Sequence, residues 1–151
     1  MSVSHWLFLG WFLCIAVYAT VVLSGDRRRT RTIQTLALRL GFGYLDTTLP
    51  QTLSLQGTEL EQVKTWNVME GNRNGMRIAV FDCQSTRGRV TWRCTAIAAQ
   101  GTSETLSSAA RFDLDFRVER SGDWAIMYQK SAGLMPPDDI EAYMTSIGVA
   151  T

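Results

Sequence analysis

The chain opens with an apolar run from His5 to Leu23 in which no residue is charged. Its apolar residues lie all round a helix and not along one stripe, which is typical of a helix surrounded by lipid. As a helix, residues 4–24 rise about 31 Å, close to the roughly 30 Å of a hydrocarbon core. The run predicts a single transmembrane helix over residues 4–24. Trp6 and Trp11 are predicted to lie at the membrane interface, where indole rings concentrate.

Four arginines follow the apolar run and no basic side chain precedes it: Arg27, Arg28, Arg29 and Arg31. A cleaved secretory signal, the alternative interpretation, would carry positive charge before its apolar run. The positive-inside rule predicts that the N-terminus lies outside and that residues 27–151 lie in the cytoplasm. We therefore expect a single-pass protein of the inner membrane, whose arginines contact the anionic headgroups of the lipid bilayer.

Apolar residues then recur at the i, i+3, i+4 and i+7 spacing of a helix: Ile33, Leu36, Ala37 and Leu40. This spacing predicts a juxtamembrane amphipathic helix over residues 27–41. Gly41 is expected to end it in the left-handed conformation. Thr58 and Glu61 form a capping-box pattern, which predicts a further helix that ends near Trp66.

From Val68 onward the sequence takes the pattern of strands, with four segments: residues 76–83, 90–99, 112–120 and 124–129. They predict two hairpins, and Pro136–Pro137 begin a last helix that ends near Gly148. The predicted fold class is α+β, with a single N-terminal transmembrane helix and a small extramembrane domain over residues 42–151. We expect that domain to hold a four- to five-stranded antiparallel sheet and two to three helices on one face.

The alternation along the strands assigns side chains to the two faces of the sheet. Five large residues are predicted to share one core: Phe81, Trp92, Phe112, Phe116 and Ile140. The opposite face of the first hairpin carries Asp82, Arg93 and Thr95, which are predicted to face solvent.

Two cysteines, Cys83 and Cys94, lie on the facing strands of the first predicted hairpin. With Gly88–Arg89 as a two-residue loop they lie directly opposite each other, and with Arg87–Gly88 as the loop they are offset. Because the domain is expected in the cytoplasm, we predict free, buried thiols in both registers.

Composition and charge narrow the function classes. The 151 residues carry a net charge of +1, which argues against a nucleic-acid partner. One histidine, His5, and three cysteines cannot build a common zinc site. The extramembrane domain also lacks any Ser–His–Asp or Cys–His arrangement. Asp113 and Asp115 lie on one face of a strand, roughly 6.5–7 Å apart. Paired carboxylates can do acid–base chemistry, but a solvated polar face is the preferred interpretation. We expect neither an enzyme nor a cofactor.

Charge is unevenly spread along the extramembrane domain. Residues 71–93 hold five arginines against one acid, whereas residues 94–151 hold four basic residues against eight acids. The five arginines form a candidate partner surface for an acidic neighbour: Arg73, Arg77, Arg87, Arg89 and Arg93. Gly10 and Cys14, on one face of the apolar helix, are a second candidate contact, because small residues let helices approach closely.

Four fragments carry a resemblance to a family: LGFGY, NVMEG, GMRIAVFD and GDWAIMY, at residues 40–44, 67–71, 75–82 and 122–128. On these fragments the chain resembles poorly characterised bacterial membrane-anchored proteins with a small α+β domain. The resemblance implies that architecture. It implies no activity and no functional residues.

The sequence is consistent with two alternative functions. The first is a non-catalytic accessory or scaffold subunit of a larger inner-membrane complex, with other membrane-protein subunits as partners. Respiratory and photosynthetic assemblies are the abundant hosts for such subunits. The alternative is a membrane-tethered ligand-binding or sensory domain, which requires an apolar pocket with convergent polar groups.

Overall fold

The computed structural model describes residues 3–87, 90–101, 116–129 and 133–147, with the side chains of residues 3–9, 21–23 and 87 left out. Two helices and six strands follow one another along this part of the chain. In order, they are α1 (Val3–Leu40), β1 (Gly43–Asp46), β2 (Lys64–Arg73), β3 (Met76–Arg87), β4 (Val90–Gln100), β5 (Arg117–Ser121), β6 (Trp124–Tyr128) and α2 (Pro137–Ser146). The chain divides into two units, Met1–Thr32 and Ile33–Thr151.

Helix α1 does not bear out the predicted membrane span. Among the residues that the structure describes, no helix has both the length and the apolar character that a bilayer crossing needs. The predictions of a transmembrane helix over residues 4–24 and of a single-pass inner-membrane location are therefore wrong.

The C-terminal end of α1 follows the sequence prediction. Phe42 N donates to the carbonyl of Ala37 at 2.8 Å and Gly41 N donates to that of Leu38 at 3.2 Å. These are the two bonds of a Schellman motif, and Gly41 takes the positive φ of 71° that the motif requires. The helix runs unbroken from Val3, so the predicted helix over residues 27–41 is its last part.

The strands form one antiparallel sheet of six, in the order β1-β2-β3-β4-β6-β5. The sequence predicted four or five, because residues 58–66 matched a helix start. Thr58 Oγ accepts a hydrogen bond from Leu60 N and Glu61 Oε2 accepts one from Gly57 N. These short-range bonds close turns, but no helix follows, because β2 pairs with β3 from Lys64 onward. The predicted helix ending near Trp66 is wrong.

Both faces of the sheet are covered, each by a different kind of structure. On the first, the helix face, residues 33–37 of α1 and the apolar side of α2 pack on Ile78, Val80 and Ile97. On the second, the loop face, segment 47–63 packs through Leu53 and Leu60 against central residues such as Phe81 and Trp124.

This division separates the residues predicted to form one core. Phe81 is buried and Trp92 partly buried on the loop face, whereas Ile140 is buried and Phe116 partly buried on the helix face. Phe112 lies outside the described residues. The prediction of a single shared core is wrong, because the alternation was assigned to a sheet with only one covered face. The buried side of α2, with Ile140, Tyr143 and Met144, is confirmed.

A close approach anchors β2 to the end of α1. The ring of Phe42 lies against Gly71, and a Cβ atom at that position would overlap the ring. Any side chain larger than hydrogen at residue 71 would therefore push Phe42 away from the sheet.

Candidate functional site

A cavity of about 260 Å³ lies between β4, β6 and α2 in the second unit. Its wall contains segment 133–136, which begins with Gly133 and ends at Pro136, just before α2. From α2, residues Asp139, Ala142 and Tyr143 contribute, at the i, i+3 and i+4 positions of one helical side.

The sheet side of the cavity mixes one apolar residue with two polar ones. Phe116, just before β5, supplies an aromatic ring, and Gln129, just after β6, supplies an amide. Thr95 of β4 supplies a buried hydroxyl. The described wall of the cavity thus combines apolar side chains with a few polar groups.

Thr95 connects the cavity wall to a buried polar network. Its Oγ donates to Asp82 Oδ1 at 2.8 Å and accepts from Met135 N at 2.9 Å. Asn67 Nδ2 donates to Asp82 Oδ2 at 2.9 Å, and Tyr44 OH donates to Asn67 Oδ1 at 3.1 Å. Each oxygen of the buried carboxylate thus accepts a hydrogen bond, which offsets the cost of removing it from water.

The network corrects the predicted polar face of the hairpin. Asp82 and Thr95 are 1% and 3% exposed, not on a solvent face, because α1 and α2 cover this side of the sheet. Asn67 takes a φ of 52° at an irregularity where the pairing of β2 with β3 shifts between Trp66 and Met69. In the sequence, Asn67 stood out only as the first residue of the fragment NVMEG, before the strand pattern that begins at Val68. A bulge has no short-range signal of its own.

Two tyrosines on this side have raised pKa values. Burial, together with the nearby carboxylates of Asp46 and Asp82, raises the pKa of Tyr44 to about 12. Burial alone raises the pKa of Tyr143, whose hydroxyl lies 3.3 Å from the sulfur of Met127. Both effects disfavour the phenolate, so the two side chains remain neutral hydrogen-bond donors at neutral pH.

The predicted arginine surface is partly tied down within the sheet. Arg77 pairs with Glu70, donates to Thr52 Oγ at 3.0 Å and lies 5.9 Å from the centre of the Trp124 ring. Its guanidinium is therefore committed to holding segment 47–63.

Arg93 is engaged in a similar way. It donates to Gln84 Oε1 at 2.9 Å and lies 5.4 Å from the ring of Trp66. Arg73 is half-buried, while Arg89 and the side chain of Arg87 lie outside the described residues. The structure does not gather the five arginines into one described cluster.

The predicted contact residues of α1 are exposed within this chain. Gly10, Trp11 and Cys14 are exposed, and a Cβ atom at Gly10 would meet nothing within 4 Å. The side chain of Trp6 lies outside the described residues. Of the four arginines between residues 27 and 31, three are exposed and Arg29 is half-buried.

The two cysteines of the hairpin lie directly opposite each other. Arg87 pairs with Val90 and Cys83 with Cys94, which is the predicted register that places the two cysteines directly opposite each other. Both are free thiols and both are buried. A hydrogen bond to Cys94, together with burial, raises the pKa of Cys83. A buried neutral thiol is a poor nucleophile, so this pair forms part of the packing.

A polar cluster on the loop face was not predicted from the sequence. Tyr128 OH lies 3.0 Å from Glu119 Oε1 and 3.3 Å from Glu59 Oε2, and Arg117 Nη1 lies 2.6 Å from Glu59 Oε1. Burial and the Glu119 carboxylate raise the pKa of Tyr128. The cluster joins segment 47–63 to the β5–β6 hairpin across some 60 residues of sequence, a separation that no local pattern reveals.

Within the described part of the chain, no group of three His, Cys, Asp or Glu side chains is placed to hold a metal ion. Comparison of the chain with protein-family models, with curated proteins and with solved structures finds no match. The resemblance carried by the four sequence fragments therefore stays a prediction.

Proposed function

We propose that this chain is a non-catalytic accessory subunit that binds another protein through the apolar stretch of α1. One observation carries the proposal. Large apolar side chains between residues 11 and 18 are exposed, among them Trp11 at 68%, Phe12 at 69% and Tyr18 at 73%. A continuous exposed apolar surface of this kind marks an interaction site.

The residue types in this stretch support a protein partner. Tryptophan and tyrosine are enriched among residues that dominate binding energy at protein interfaces. Trp11, Cys14 and Tyr18 are spaced at i, i+3 and i+7 and so share one side of the helix. Fully burying one large apolar side chain contributes about 1.5–3 kcal/mol, so two such anchors account for a substantial part of a micromolar affinity.

The test is co-purification with a matched pair of variants. We expect the full chain, isolated under non-denaturing conditions, to retain a partner in a fixed stoichiometric ratio. Trp11→Glu combined with Tyr18→Glu should lower that recovery at least tenfold, because two apolar anchors become charged. Leu38→Glu is the control, since Leu38 is an 80% exposed apolar residue of the same helix outside the stretch.

Two results would contradict the proposal. One is equal recovery of the partner with the Trp11 and Tyr18 variant and with wild type. The other is binding of the purified chain to phospholipid vesicles, through the same two residues, with no protein partner recovered. Circular dichroism should show the same sheet content for all variants, because residues 11 and 18 lie outside the unit Ile33–Thr151.

A second function, a ligand-binding domain, is favoured by a separate observation. The cavity of about 260 Å³ joins apolar walls to the hydroxyl of Thr95 and the carboxylate of Asp139. The two functions are compatible, because all the described lining residues of the cavity come after residue 94 and the apolar stretch of α1 comes before it.

A further inference from the structure

We infer that the cavity beside α2 binds a small amphipathic amine, with a body the size of one aromatic ring and a protonated amino group. The inference rests on the second proposed function, a ligand-binding domain, and is independent of partner binding by α1. It names the chemical class of the ligand from the size, the polarity and the charge of the walls.

The size of the cavity sets the size of the ligand. An apolar cavity of about 150 Å³ takes a benzene ring, so one of about 260 Å³ takes a ring with a short chain. Most of the wall is apolar, with Phe116, Leu134, Met135 and Pro136 among the lining residues. Burial of a ring against these side chains provides the main attraction.

One polar group of the wall favours a hydrogen-bond donor on the ligand. The hydroxyl of Thr95 donates to Asp82 and accepts from Met135 N, so it is engaged within the protein. The amide of Gln129 can donate or accept a hydrogen bond, so it does not discriminate between ligands. The carboxylate of Asp139 only accepts when ionised. Of the polar side chains in the described wall, Asp139 therefore favours an N–H or O–H donor on the ligand.

Charge narrows the choice to a cation. Among the described lining residues Asp139 is the only charged one, and Asp82 lies directly behind Thr95. The same helix adds two further acids, Asp138 and Glu141, of which Glu141 pairs with Arg39 at 2.8 Å. The rings of Phe116 and Tyr143 line the cavity as well, and the face of an aromatic ring attracts an ammonium group. An anionic ligand would meet repulsion from the Asp139 carboxylate and from the faces of the two rings.

The experiment compares three probes with similar ring and chain: phenethylamine, phenethyl alcohol and phenylacetate. Each is titrated into the full chain, and binding is followed by the amide NMR shifts of residues 133–136 and 139–143. We expect the amine to bind about threefold to tenfold more tightly than the alcohol, the range of one exposed ion pair plus a cation–π contact. Phenylacetate should bind most weakly.

Three variants test whether the probes bind in the cavity and whether Asp139 gives the preference for the amine. Asp139→Asn should remove the preference for the amine over the alcohol. Asp138→Asn is the matched control, an exposed acid in the same helical turn that is not part of the cavity wall, and should keep the preference. Ala142→Trp, at an exposed position on the wall, should weaken all three probes at least tenfold by filling the space.

The outcomes separate the ligand class from the ligand-binding function. If the alcohol or phenylacetate binds as tightly as the amine, or if the preference survives Asp139→Asn, the inferred class is overturned while a ligand site stands. If none of the three probes binds at millimolar concentration, or if Ala142→Trp has no effect on any of them, both the class and the ligand-binding function are overturned.

Discussion

The two faces of the sheet are buried by different means, and the difference shows how a small sheet can be covered twice. On the helix face, α1 and α2 satisfy their own backbone hydrogen bonds and contribute mainly apolar side chains. On the loop face, segment 47–63 has no helix or strand, so it depends on turns and on side-chain contacts. Arg77 and Glu59 provide such contacts, to the sheet and to β5.

Buried side-chain hydrogen bonds lie on the helix face, although the helices that cover it need none of them for their own backbone. The helix face encloses the network of Asp82, Asn67 and Thr95, in which both carboxylate oxygens are paired. The loop face encloses apolar side chains and two thiols, yet the buried Nε1 of Trp124 has no hydrogen-bond partner. On the helix face the side-chain hydrogen bonds lie inside the core. On the loop face they lie around the edge of the core, where segment 47–63 meets the sheet.

The largest effect is expected from removing a phenylalanine ring, and its size should differ between the two faces. Phe81→Ala should lower the free energy of unfolding by about 3–5 kcal/mol, because the ring is fully buried on the loop face. Phe116→Ala should cost only about 1–2 kcal/mol, because its ring is partly buried at the cavity. Urea denaturation of both variants measures the difference. Equal losses would show that the two faces contribute alike at these positions.

The second prediction tests the polar network. Asp82→Ala leaves the Asn67 amide and the Thr95 hydroxyl without their acceptor, so the free energy of unfolding should fall by about 2–3 kcal/mol. Asp123→Ala, at an exposed turn, is the control and should change it by less than about 0.5 kcal/mol. An Asp82 variant as stable as the control would mean that the network stabilises nothing.

The smallest change in the free energy of unfolding is expected when the pH is raised. The pKa of Tyr44 is about 12 in the folded chain against 10.0 for an unperturbed tyrosine. Between those values the unfolded chain loses the proton first, so the free energy of unfolding should fall as pH rises from 10 toward 12. Below pH 10 the contribution is fully present. The raised pKa values of Tyr128 and Tyr143 act in the same direction.

Tyr44→Phe should make that alkaline fall less steep by removing one of the three groups. Chemical denaturation at several pH values above 9 measures the slope. A free energy of unfolding that is constant or rises above pH 10 would contradict the assignment for all three tyrosines.

Sequence reasoning succeeded where the signal is local. The Schellman motif at Gly41, the β3–β4 hairpin and the start of α2 at Pro137 each follow from residues within a few positions of one another. The predicted strand 76–83 extends to Arg87 in the structure, because pairing with β4 continues past the apolar residues.

The failures share a different cause, which is contact between distant segments. Asp82 was assigned to solvent because an alternating pattern cannot show that α1 and α2 cover the polar side of a strand. The helix at Thr58 was predicted from a correct short-range pattern that sheet pairing overrides. The cavity joins β4 to α2 across some 40 residues of sequence, so no motif could indicate it.

The ends of the sheet have a consequence for how the protein behaves at high concentration. A long, flat, apolar strand at a sheet edge can add strands from other molecules and start aggregation. Here both outer strands are short, β1 with four residues and β5 with five. The pairing of β1 is irregular between Tyr44 and Asp46, and β5 alternates charged residues such as Arg117 and Glu119. Short, irregular and charged edges discourage strand addition. We therefore expect the sheet to resist pairing with another copy of itself, although its long central strands are rich in β-branched and aromatic residues.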